Sequence, residues 1–212
     1  MITFLLKSSI TLFWVLYLLS CQAQNTKQPA KLVGGRCEGC EAIYEYGSKQ
    51  LTAVDTLPGF LSTDQKLKLN GTIYKKDGKT PAGGVILYIY HTGEGGTYET
   101  KGNEYGWGRR HGMHRGWIKT GADGRYTFYT IKPRSYPNSS MPAHIHATIK
   151  EPHLNEYYID DFHFEDDPFL TSNERNNTSP KAGSGIVSLK KVNNIWVAER
   201  NIILGLNITN YE

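Results

Sequence analysis

His144 and His146 stand one residue apart in Pro142-Ala143-His144-Ile145-His146-Ala147-Thr148-Ile149, a segment that reads as a strand. Side chains on a strand alternate faces, so the two imidazoles share one face, about 7 Å apart along the chain, while Ile145 points into the opposite layer. Two neutral imidazoles so placed can converge on one metal ion, and the further ligands decide which ion it is. A second histidine pair, His111 and His114, lies in the basic stretch Arg109-Arg110-His111-Gly112-Met113-His114-Arg115. It reads as a loop with no carboxylate partner, a poor metal site.

The elements that must position these residues are strands and turns. Leu67 to Tyr74 alternates and stops at Lys76-Asp77-Gly78-Lys79, a hairpin-type turn. Val85 to Tyr90 is a continuous apolar run of the kind found in buried strands. Ala122-Asp123-Gly124-Arg125 is a turn leading into a strand from Tyr126 to Ile131. Ala143 to Lys150 and Tyr157 to Phe164 are further strands, and Ile186 to Lys190 with Ile195 to Ala198 flank the hairpin signal Asn193-Asn194. No stretch supports an amphipathic helix of ten residues. The predicted class is all-β, a β-sandwich with antiparallel strands.

Composition agrees: 22 Gly, 39% hydrophobic and 21% charged residues in 212 describe a globular chain of one domain with a short appendage. Twenty-four Lys and Arg against 20 Asp and Glu leave a formal +4, too small and too scattered to argue for nucleic acid. The appendage is N-terminal. Residues 1–20 carry one charge, Lys7, then an apolar run from Ile10 to Leu19, too short to span a membrane but suited to an export signal. The run ends Leu18-Leu19-Ser20-Cys21, which resembles a bacterial lipobox. That resemblance implies lipidation of Cys21 and attachment to the outer membrane of the cell envelope, with Gln22 as the sorting residue. Residues 21–62 then form a polar tether and a short ordered extension, and 63–212 the sandwich domain. In an oxidising compartment Cys37 and Cys40, as C-E-G-C, read as a disulfide-closed loop.

Two family patterns contain a His-x-His. The spacing of His144, His146 and Glu151 matches the first cupin box, but the second cupin box has no counterpart downstream. The other pattern runs through several ordered motifs: G-E-G-G-T-Y ending at Tyr98, R-G-W-I-K-T-G-A-D-G-R-Y-T-F-Y-T-I-K-P, Tyr136-Pro137, P-A-H-I-H and F-E-D-D-P. Together, over roughly residues 65–170, they resemble the intradiol ring-cleavage dioxygenases, the family of protocatechuate and catechol dioxygenases. The resemblance implies a transthyretin-like sandwich and a non-haem Fe(III) held by Tyr98, Tyr136, His144 and His146. It implies a catechol-type substrate and O2, with Tyr136 leaving the metal to act as base. Tyr98 and His146 stay equatorial and His144 axial, and the product is a muconate-type diacid. Family members often assemble, so a homo-oligomer is compatible. The donor set suits the ion: Fe(III) is a hard Lewis acid that favours anionic oxygen, and a cation pulls a phenol proton off far below its free pKa of about 10.

The chain departs from the family pattern in two places. Met141 stands where members carry an Arg before P-A-H-I-H, and Asp161 where they carry a Gln. A carboxylate there would repel a dianionic substrate unless it is protonated or turned outward. Arg109 or Arg115 is the expected replacement cation, serving a carboxylated or extended catechol. Two other functions compete. One is a non-catalytic transthyretin-like binding module, which would lack the Tyr-Pro and His-x-His motifs. The other is a degenerate member that binds iron or a catechol siderophore without turnover.

Overall fold

A computed structural model describes residues 32–212. The expected signal and Cys21 lie outside that range. Strand accounts for 31% of the described residues and helix for 7%, so this part of the molecule is all-β. No helix among the described residues is long and apolar enough to cross a membrane.

Two sheets face each other. The first takes the order β1 (Val54–Thr56), β5 (Arg125–Ile131), β2 (Lys66–Tyr74), β11 (Ile195–Glu199), β10 (Lys190–Val192), with β12 (Ile202–Ile203) pairing the far end of β2. The second runs β4 (Arg115–Lys119), β3 (Ile86–His91), β6 (His144–Lys150), β8 (Phe162–Phe164), β9 (Ile186–Val187), with β7 (Glu156–Tyr158) also on β6. The long ladders β2–β5, β3–β4 and β3–β6 are antiparallel, as expected. Four short ladders are parallel: β1–β5, β11–β2, β12–β2 and β8–β9. The alternation of β2 explains its register: Leu67, Leu69 and Ile73 are buried against Leu87, Ile89, Ile145, Ala147 and Ile149 of the second sheet in one apolar cluster.

Several expected elements are placed differently. The Asp77 turn caps β2 through Asp77 Oδ1, which accepts from the Lys79 and Thr80 amides at 2.9 and 2.8 Å. It does not close a β2–β3 hairpin, because the chain crosses there to the other sheet. The segment from Ile186 to Lys190 divides into β9 and the start of β10, one in each sheet. The run from Tyr157 to Phe164 breaks into β7 and β8 around Ile159–Asp161, and the basic loop holds one helical turn, α1 (Gly108–His111), before β4 begins at Arg115. Asn193 and Asn194 both adopt positive φ, 46° and 62°, the backbone a two-residue hairpin requires.

The expected extension is part of the sandwich. Val33 is 1% exposed in the main core. A 3-10 turn over Cys40–Tyr44 buries Ala42 and Ile43 against Tyr88 and Trp117 on the outer face of the second sheet. That cover is why β3 reads as continuously apolar: Leu87 and Ile89 face the main core and Tyr88 faces this second one. The segment before residue 62 thus completes a buried surface of the sandwich.

Candidate metal centre

The outer face of the second sheet carries His144, His146 and, directly across the ladder from His146, Tyr90. Ile145 between the histidines is fully buried in the core, as period two requires. Tyr98 and Tyr136 come from two loops tied together by backbone approach. Thr92 Oγ1 donates to Arg134 O at 2.6 Å, and Gly96, at φ 72°, lies so close to Ser135 that a Cβ there would sit 2.2 Å from the Ser135 carbonyl oxygen. Only glycine allows that contact and that φ, so Gly96 sets the distance between the two phenols.

Four polar atoms converge. Tyr98 Oη lies 2.6 Å from Tyr136 Oη and 2.9 Å from His146 Nε2. Tyr136 Oη lies 3.4 Å from His144 Nε2, and the two Nε2 atoms are 3.1 Å apart. The opposite ring nitrogens fix the tautomers. His144 Nδ1 donates to the Pro142 carbonyl at 2.8 Å, and His146 Nδ1 donates to Asp161 Oδ2 at 3.0 Å. Both Nε2 atoms therefore present bare lone pairs to each other, satisfied only by phenol protons. A cation that displaces those two protons fits this donor set: two phenolates and two neutral imidazoles, each histidine oriented from behind. Burial, then the hydrogen bond to Tyr136, pushes the Tyr98 phenol well above its ordinary range, so a bound cation would be what ionises it. Burial, then His146, holds His144 below the usual imidazole value and keeps it neutral.

Asp161 turns its Oδ2 onto His146 and backs that ring, while the residue also lines the cavity over His146. The break between β7 and β8 makes this geometry, since Ile159 N still reaches Ala147 O at 3.1 Å while the chain beyond it leaves the ladder and swings the carboxylate onto the ring. Burial works to raise the Asp161 pKa, but the hydrogen bond to His146 and the histidine charges outweigh it and hold the carboxyl below the usual range. Among the described residues, His144, His146 and Asp161 are the His, Cys, Asp and Glu side chains close enough to share an ion, their donor atoms within 4.8 Å of one another.

The expected cations lie elsewhere. Arg115 is nearly buried and paired with Glu45 at 2.6 Å, stacked on Trp117, where it pins the N-terminal segment. Arg109 reaches the Glu104 carbonyl at 3.3 Å, outside the cavity beside Tyr98. That cavity, about 470 Å³, is lined by Glu38, Tyr90, Tyr98, Trp107, Arg110 and His111. Arg110 supplies its positive charge and pairs with Glu38 at 2.7 Å. His111 and His114 do not form a metal pair: His111 Nδ1 meets Tyr88 Oη at 2.8 Å, and His114 Nε2 meets Glu99 at 3.2 Å. His111 instead stacks on Tyr90 at 3.7 Å, and Tyr90 on His146 at 4.4 Å. The cross-strand partner of a His-x-His strand was the signal that could have found Tyr90; nothing local marked Glu38 or Trp107. Cys37 and Cys40 are disulfide-bonded, and their loop carries Glu38 to the cavity.

The chain matches the family model described as Dioxygenase over residues 45–181, well over half its length. It belongs to that dioxygenase family. The fold of this dioxygenase-family chain is that of the intradiol enzymes. It is similar to the dioxygenase domain of a dioxygenase carbohydrate-binding protein fusion from Streptomyces sp. SirexAA-E (TM-score 0.56, 20% identity, covering 83% of this chain and 96% of that one). It is also similar to catechol 1,2-dioxygenase from Pseudomonas arvilla C-1 (TM-score 0.55, 16% identity, 74% of this chain and 58% of that one). A third likeness is to hydroxyquinol 1,2-dioxygenase from Pseudomonas putida DLL-E4 (TM-score 0.53, 17% identity, 74% and 62%). The dioxygenase-family chain thus spans 58% of the catechol 1,2-dioxygenase it resembles, and at these identities the likeness is one of fold. No curated protein sequence matches it.

Proposed function

We propose that Tyr98, Tyr136, His144 and His146 hold a non-haem ferric ion, and that the protein uses O2 to cleave a catechol between its two hydroxylated carbons. The observation that carries this reading is the meeting of two phenol oxygens with two bare imidazole nitrogens at 2.6 to 3.4 Å. A ferric ion held by Tyr98, Tyr136, His144 and His146 would supply Lewis acidity toward the catechol oxygens and make the ring susceptible to O2. Tyr136 sits on an irregular segment between two prolines, can swing away more easily than the strand-borne histidines, and takes a catechol proton as base. His144 and His146 are held by Pro142 O and Asp161 and keep their places. Tyr90, stacked on His146, walls the site with an aromatic face. Both atoms of O2 enter the muconate-type diacid.

A visible spectrum with iron content, on the soluble domain from about Gln24 onward, tests the site. A tyrosinate-to-iron band is expected that weakens in Tyr98→Phe and shifts on anaerobic catechol addition. Protein that stays colourless and iron-free after reconstitution with ferrous iron in air overturns the assignment. Binding without turnover is a second reading, favoured by Met141 at the usual arginine position and by Glu38 neutralising Arg110. Oxygen uptake measured beside catechol binding separates the two. Attachment to the outer membrane through Cys21 belongs to the same proposal; fatty-acid labelling that disappears in Cys21→Ala is its check.

A further inference from the structure

Three cavities near the second sheet share walls in sequence. The 470 Å³ cavity beside Tyr98 shares Glu38 and Tyr90 with a second of about 290 Å³, which runs over His146 under the Cys37–Cys40 loop. The second shares Tyr158 and Asp161 with a third of about 310 Å³ that reaches Glu174 and Arg175. The first two cavities adjoin the four-donor cluster, one at Tyr98 and the other at His146, and together with the third they form a groove. A dry cavity of roughly 150 Å³ already holds a benzene ring, so one ring leaves most of this groove empty.

We infer that the groove takes a catechol bearing a substituent at least as large as a second ring, and that Arg110 and Tyr158 are specificity-determining residues at its two sides. This rests on the catechol reading of the site. With the hydroxyls at the four donors, a flat substituent on one side meets the Trp107 ring and the Arg110 guanidinium, which lies 5.2 Å over it. The Glu38–Arg110 pair crossing that end is exposed, 67% for Arg110 and 76% for Glu38, so it is weakly held and a substituent can displace it. On the other side lies Tyr158, 39% exposed, with Lys181 Nζ 3.7 Å over one face of its ring so that the other face is left for a substituent. The Asn177–Asp160 hydrogen-bonded pair and Arg175 lie beyond it for hydroxyl-bearing substituents.

Titration calorimetry of iron-loaded protein under anaerobic conditions with catechol and with catechin, a neutral catechol joined to a hydroxylated bicycle, reads the inference without turnover. Catechin is expected to bind about tenfold tighter, and Arg110→Gln and Tyr158→Ala each to reduce that ratio. Equal affinity for the two compounds, or a ratio that neither substitution moves, overturns it. Arg110 is exposed on α1, so Arg110→Gln keeps the test available should Tyr158→Ala fail to fold. Oxygen uptake by iron-loaded protein is read separately. No uptake with either compound, while the binding ratio holds, removes the dioxygenase reading and leaves the groove assignment standing.

Discussion

At the residue scale, what makes His144 and His146 ligand-like is what lies behind them. Each ring spends its Nδ1 proton on an oxygen acceptor and turns a lone pair toward the phenols. Asp161→Asn keeps an acceptor of similar shape but removes the negative charge behind His146. It should weaken iron binding about ten- to a hundredfold in chelator competition; unchanged affinity would show that the carboxylate only packs there. A second histidine effect concerns stability. His91 is fully enclosed between Thr92 O and Thr130 Oγ1, and burial pushes its imidazole down to about 3. Its unfolded counterpart binds a proton near 6.5, so between those values the unfolded chain holds more protons. Stability is therefore complete above about pH 6.5 and falls as pH drops, by at most about 1.4 kcal/mol per pH unit from this residue. His111, lowered to about 4 chiefly by burial, acts in the same direction. Urea midpoints of metal-free protein should decline from pH 7 to 4.5, and decline less steeply in His91→Gln.

At the element scale, two loops and one broken strand build the site. Gly96→Ala puts a methyl 2.2 Å from the Ser135 carbonyl and an L side chain at φ 72°. It should part Tyr98 from Tyr136 and abolish the tyrosinate band while costing the fold only a few kcal/mol, about 1 to 2 of them from the left-handed backbone. A normal band in Gly96→Ala would mean the loops find each other by another route. The 3-10 turn over Cys40–Tyr44 acts as a lid on the sheet. Ile43 is fully buried beneath it, and Ile43→Ala should cost about 2 to 5 kcal/mol in denaturant unfolding.

At the scale of the whole molecule, residues 33–62 and the sandwich form one unit. Val33 N bonds Asn155 Oδ1 at 2.6 Å, β1 adds an edge to the first sheet, and Arg115–Glu45 ties the segment to β4. A chain starting at Thr63 would expose Tyr88 and Trp117 and leave Arg115 without its carboxylate. It should be poorly soluble or lose cooperative unfolding, where residues 32–212 unfold in a single transition. Equal stability of the two chains would place a domain boundary at 62.

The sequence by itself determined the class, the core faces of β2 and β6, and the direction shared by His144 and His146. These follow from period-two alternation and turn chemistry, which are local. It also carried the dioxygenase likeness, through motifs in a fixed order. Tertiary structure decided the rest, because those facts are distances between residues far apart in the chain. Asp161 reads locally as one more strand residue, and only the break after Tyr158 turns it behind His146. Arg109, Arg110 and Arg115 are equivalent cations in sequence. One helical turn and one buried partner, Glu45, leave Arg110 alone of the three lining the cavity beside Tyr98. Glu38 reaches that cavity because an N-terminal segment folds back over the sheet, a placement set by burying Ala42 and Ile43 and written in no motif.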